Sequence, residues 1–176
     1  MPSQEEFQHQ VFLNIQDMIK FADTKSSLSL ATVSILVSIT LGSSLLSNIV
    51  EKLILLNNNI IILYILIIVV FIILASLTIS YSIAVLWARA GEANAHNGIV
   101  YYGHIAEFKS LEDYEKKVSE LESKDFVREY LKQNFIISKI ANKKMEYVNN
   151  SIIFLSVTTI VTMIIFILNS YIITIL

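Results

Sequence analysis

Residues 60–87 read IIILYILIIVVFIILASLTISYSIAVLW, 28 positions without one charged side chain. A helix rises about 1.5 Å per residue, so roughly 20 apolar residues cross the hydrocarbon core of a bilayer. Such a run reads as a membrane span, and an open strand edge has no hydrogen-bond partner in lipid, so the span has to be a helix. Working outward, charge-free blocks cover 26–50, 53–88 and 147–176, together 91 of the 176 residues. All 28 charged side chains fall in the rest. The block 53–88 is too long for one span and too short for two with a turn. Asn57-Asn58-Asn59 splits it, leaving Leu53 to Leu56 as an interfacial stub.

The expected organisation is an all-α membrane protein with three transmembrane helices, an amphipathic N-terminal helix and a small cytoplasmic helical bundle. Its segments are 1–25 (cytoplasmic amphipathic helix), 26–50 (first span), 51–59 (external turn) and 60–88 (second span). Then follow 89–148 (cytoplasmic helical domain), 149–173 (third span) and 174–176 (external C-terminus). Orientation comes from the basic residues, which concentrate on the cytoplasmic side. Lys20, Lys25 and ten lysines and arginines within 89–146 lie on one side, against Lys52 alone on the other. With a single proline, at position 2, nothing interrupts long helices. The first apolar run begins only at Ser26, behind an acidic, glutamine-rich start, which does not suit a cleavable signal peptide.

Ser3 followed by Glu6, and Ser110 followed by Asp113, are capping-box patterns that open helices. Phe7, Val11, Ile15, Met18 and Ala22 recur at helical spacing on the first, which is expected to run into the first span. Ser110 starts a helix to about Leu121. Ser123 starts a longer one, with Val127, Leu131, Asn134, Ile137, Ile140, Ala141 and Met145 on one face, continuing as the third span. Gly91 to Gly103 is a turn-rich stretch.

The chemistry these residues exclude is broad. Without cysteine there is no disulfide, thiolate metal site or thiol catalysis. A net charge of −2 does not hold nucleic acid. No Ser/His/Asp set, P-loop or H-E-x-x-H motif occurs, so neither an enzyme nor a cofactor is expected. His96 and His104 with Glu92 and Glu107 have no metal-ligand spacing. Ser27, Ala31, Ser34, Ser38 and Gly42 form a small-residue stripe on the first span. It reads either as close helix packing or as the wall of a water-accessible path. Asp23 and Lys25 flank the mouth of that span. They read as span-ending charges, or as a lysine holding an anion beside an acid that fixes a neighbouring helix. Tyr101-Tyr102-Gly103 and Phe108 offer aromatic faces for a base, or ordinary loop packing. Lys139, Lys143 and Lys144 crowd the entry to the third span, where positive-inside anchoring is their plainest role.

The stretch Phe21-Ala-Asp-Thr-Lys-Ser-Ser-Leu resembles the A-D-x-K-A/S-S signature of the Pycsar transmembrane effectors. Tyr101-Tyr-Gly-His-Ile-Ala-Glu-Phe resembles that family's aromatic-aromatic-Gly-x-I-A segment. Ser110 to Tyr114 is similar to its Ser-x-Glu-Asp-Tyr helix start, and Ser138-Lys-Ile with Lys144 to the helix leading into its last span. Met145 departs from the family, which tends to have an aromatic there. The resemblance implies a bacterial antiphage effector in the inner membrane. It would respond to cyclic UMP or cyclic CMP made by a cognate cyclase, impair the membrane and abort infection. On this resemblance Asp23, Lys25, Tyr102, His104 and Lys144 are expected near the nucleotide, in a homo-oligomer in contact with lipid. A constitutive membrane scaffold and a small channel subunit without nucleotide control are the alternatives.

Overall fold

The computed structural model describes residues 3–42, 58–88, 99–100 and 102–175. They form five helices and no strand: α1 (Gln4–Gly42), α2 (Asn58–Trp87), α3 (Tyr102–Ile105), α4 (Leu111–Ser119) and α5 (Ser123–Ile175). The expected external turn at 51–59 lies largely outside the described residues, as does most of the glycine-broken stretch between Gly91 and Gly103. Three helices are long and apolar enough to span a membrane: α1, α2 and α5. With 39 and 53 residues, α1 and α5 reach about 58 and about 80 Å, well beyond one bilayer core. Each therefore carries a span and an extension in one uninterrupted helix, as the missing prolines predict.

The helix starts are built as their sequences dictate. Glu6 N–H donates to Ser3 Oγ (3.1 Å) while Ser3 N–H donates to Glu6 Oε2 (2.8 Å), a reciprocal capping box. Ser110 Oγ accepts from Asp113 N–H at 3.2 Å and opens α4. At α5 the expected Ser123 cap is replaced. The Asp125 carboxylate reaches back to Glu122 N–H at 3.1 Å, which places the capping position one residue earlier.

The chain divides into two compact units. One, the charged unit, contains Met1–Ala22 and Trp87–Met145; the other, the apolar unit, contains Asp23–Leu86 and Glu146–Leu176. In the apolar unit the covered positions follow a heptad-like rhythm. They are Ser26, Ser29, Val33 and Thr40 on α1; Tyr64, Phe71, Ala75, Thr78, Ser82 and Val85 on α2; and Val148, Ser151, Thr158, Thr162, Ile165, Asn169 and Ile172 on α5. Spacings of three and four are those of helices packed at a shallow angle. The seam is polar at many steps because small and hydroxyl side chains let helix backbones approach where lipid supplies no hydrophobic drive. Large apolar side chains point outward instead, Ile62 and Ile167 among them, as a hydrocarbon solvent allows.

Three expected faces differ. Ser27, Ala31, Ser34, Ser38 and Gly42 are all left uncovered by the other described helices, which pack on the face about 100° away through Ser26, Ser29 and Val33. On the first stretch of α1, Phe7 and Met18 are exposed, whereas Val11 and Ile15 are half-buried. On α5 Leu131 is exposed and the covered line runs Asn134, Ile137, Ala141 and Lys144. Asn134, Ile137 and Ala141 thus lie where expected, and at the end of that line Lys144 is covered in place of Met145.

Candidate functional site

The residues singled out from sequence fall in both units. Asp23 and Lys25 belong to the apolar unit, on α1 just past the division, and both are half-buried. Two positions apart on a helix they point about 200° from each other, so they address different surroundings. Tyr102, His104 and Lys144 belong to the charged unit. Tyr102 opens α3, and its side chain lies outside the described residues. His104 is half-buried, and its carbonyl accepts from Glu107 N–H at 3.2 Å, turning the chain toward α4. Lys144 is 8% exposed. A lysine covered to that degree is rare without partners for its ammonium, and Lys144 is engaged within the protein.

The segment between α3 and α4 is held by aromatic contacts. Tyr114 Oη–H donates to the Ile99 carbonyl at 3.2 Å, and the Phe108 and Tyr114 rings meet edge to face with centroids 5.2 Å apart. The Phe108 ring both packs on Tyr114 and lines the groove beside it. That groove, of about 480 Å³, is also walled by Glu107, Lys109, Asp113, Lys116, Lys117 and Glu120. Three cations and three anions give it no net charge preference. At the start of α4, Glu112 is held below its ordinary carboxylate value of 4.5, first by its own backbone N–H and then by the Ser110 hydroxyl.

A second polar contact was not legible in advance. Asn134 Nδ2 donates to both the carbonyl and Oε1 of Gln8, each at 3.0 Å, joining α5 to α1 within the charged unit. One turn away, Tyr130 meets His9 and Phe12 edge-on at 5.7 and 6.1 Å. Asn134 stood on the expected apolar face, and an amide in such a line is the available signal that a partner helix answers it. Among the described residues no group of three His, Asp or Glu side chains could hold a metal ion.

Three helices long and apolar enough to span a membrane, two of them continuing into a charged helical unit, define a class: a multi-span membrane protein. Within that class the family is resolved, because the model of the Pycsar effector protein domain matches residues 8–169. The chain belongs to that family, and its role lies in antiphage defence at a membrane. No curated protein and no solved structure matches.

Proposed function

We propose that the protein is an inner-membrane effector that senses cyclic UMP or cyclic CMP in the cytosol and impairs the membrane, aborting infection. The observation that carries this reading is the family match across 8–169, which takes in all three spanning helices and the charged unit together. On this reading the N-terminus and the charged unit are cytoplasmic, consistent with twelve lysines and arginines on that side against Lys52 on the other. The protein acts by binding and rearrangement, without catalysis or a cofactor. Asp23, Lys25, Tyr102, His104 and Lys144 contribute to the nucleotide site, with lysines meeting the single phosphate. A ligand activates only by binding the active arrangement better than the resting one. A 100-fold preference supplies about 2.7 kcal/mol of bias.

Copies of the chain associate through the uncovered α1 stripe. Small side chains from Ser27 to Gly42 leave that face open to another helix, and a Cβ built on Gly42 meets nothing within 4 Å. Light scattering of detergent-solubilised protein reads this directly; a mass of one 19.9 kDa chain removes it.

The nucleotide reading is tested by thermal unfolding of the purified full chain titrated with cyclic UMP and with cyclic CMP. A binder is stabilised by mass action, and the shift grows with concentration. Lys25→Ala is expected to remove the shift and, in cells carrying an active cyclase, to abolish toxicity. No shift with either nucleotide leaves a scaffold or an ungated channel. A Lys25→Ala protein that inserts normally and kills at the wild-type nucleotide level removes Lys25 from the site.

A further inference from the structure

Hydroxyl groups in the spans mostly bond their own helix. Thr32, Ser34, Ser76, Ser80, Thr158 and Thr162 each donate to the carbonyl four residues back, at 2.8–2.9 Å. That arrangement satisfies a hydroxyl in lipid and links nothing. Three serines depart from it. Ser26 Oγ–H donates across to the Ser82 carbonyl at 2.6 Å, and the Ser82 and Ser151 hydroxyls share a hydrogen bond of 2.7 Å. Each belongs to a different spanning helix, and none is more than 1% exposed. All three also lie within about two turns of the places where the chain passes from the apolar unit to the charged one: after Ala22, after Leu86 and before Glu146.

We propose that Ser26, Ser82 and Ser151 form a clamp that fixes the three spans at this level in the resting state and sets the threshold for membrane permeabilisation. The clamp's regulatory role rests on the effector reading above. Its geometry explains why it would respond to the charged unit. A turn of α1 or α5 about its own axis by one residue carries Ser26 or Ser151 through about 100° and breaks its bond to the Ser82 carbonyl or hydroxyl. Their bonds reach across helices, so they have no intrahelical substitute without a change of rotamer. Own-helix hydroxyls such as Ser80 are indifferent to the same motion.

Hydrogen bonds between transmembrane helices are worth on average about threefold in an equilibrium and at most about twentyfold. The test uses the full chain in phosphatidylethanolamine and phosphatidylglycerol vesicles loaded with a self-quenching dye, titrated with cyclic UMP and cyclic CMP. Ser82→Ala and Ser151→Ala are expected to release dye at about threefold to twentyfold lower nucleotide than wild type. The double variant is expected to match the single ones, since both substitutions break the same bond. Ser80→Ala is the control and leaves the midpoint in place. Midpoints of Ser82→Ala and Ser151→Ala equal to the control, or single effects that multiply in the double variant, overturn the clamp. If wild type responds to neither nucleotide, the nucleotide reading fails separately. The clamp is then decided by nucleotide-free release: faster leakage from both single variants than from Ser80→Ala upholds it, and equal leakage overturns it.

Discussion

Replacing Tyr64 with Phe removes one hydroxyl from the opposite end of the spans. Tyr64 Oη–H donates to Asn169 Oδ1 at 3.0 Å, and the two residues are 5% and 4% exposed. The substitution deletes the bond and leaves the buried Asn169 acceptor without its donor, beside a Tyr64 packed with Ile172, Ile61 and Ile68. A hydrogen bond between spanning helices contributes about 0.6 kcal/mol on average and up to about 1.7. A stranded buried acceptor adds a desolvation cost of about 1–3 kcal/mol, discounted because the unfolded helices also sit in lipid or detergent. Tyr64→Phe should therefore cost about 1–2 kcal/mol, and Asn169→Leu a similar amount by stranding the tyrosine hydroxyl. In the double variant both polar groups are gone, so its loss should fall well short of the sum. At this chain length 1 kcal/mol is roughly 2–4 °C in melting temperature. Thermal unfolding of the four proteins in one detergent gives the coupling directly. Additive losses would show that the bond does no work in holding α2 to α5, and the reasoning would fail.

Ser110→Ala removes the α4 cap and should cost about 1 kcal/mol of local stability, read by hydrogen exchange at the first-turn amides. It should also return the Glu112 carboxyl toward 4.5, measured by a carboxyl titration. Because folding lowers that value, the contribution of Glu112 is present above its unfolded pKa and is lost as pH falls through the folded one. The wild-type α4 start should therefore loosen on acidification, less so in Ser110→Ala. Asn134→Ala deletes both bonds to Gln8, and a net loss of about 1 kcal/mol should speed exchange of the amides around Gln8 about fivefold. Unchanged exchange there would mean that packing around Tyr130 alone holds this part of α1.

How much of this was legible in the sequence divides along a physical line. Three spans were legible because lipid imposes a threshold on charge that no local preference can override, and α1, α2 and α5 each carry a stretch long and apolar enough to clear it. Continuity of α1 and α5 followed from the single proline, which stands before either helix begins. The faces were harder. Apolar spacing placed Leu131 and Met18 inward, yet both are exposed, while Asn134 is covered as expected and Lys144 is covered in place of Met145. Hydropathy ranks a side chain by its cost in isolation, and an amide whose Nδ2 finds acceptors on a neighbouring helix, as Asn134 does at Gln8, carries less of that cost. The small-residue stripe on α1 is not the face that the other described helices cover. Ser27 and Ser26 are alike in size and hydropathy, and only the direction of packing decides that one bonds its own helix and the other bonds its neighbour.

That distinction bears on how an effector of this kind can be quiet and yet ready. Dispersion contacts along the Val33, Phe71 and Ile165 seam are graded and tolerate small rotations, so they stabilise without selecting one arrangement. Cross-helix hydrogen bonds are directional and are made or lost over about 1 Å. Ser26–Ser82–Ser151 and Tyr64–Asn169 make cross-helix side-chain bonds at two levels of the spans, with the Thr78, Thr158 and Thr162 hydroxyls between them turned onto their own helices. Counting along α2, the levels are 18 residues apart, about 27 Å, close to the full thickness of the hydrocarbon core. A bundle pinned at both faces of the bilayer and free to slide between them has few low-energy rearrangements. Releasing one pin lets a helix pivot about the other, so the first level to let go determines where the bundle opens. If the signal arrives through the charged unit, that level is the three serines, and the Tyr64–Asn169 bond is the hinge that keeps α2 on α5 while the opposite end parts.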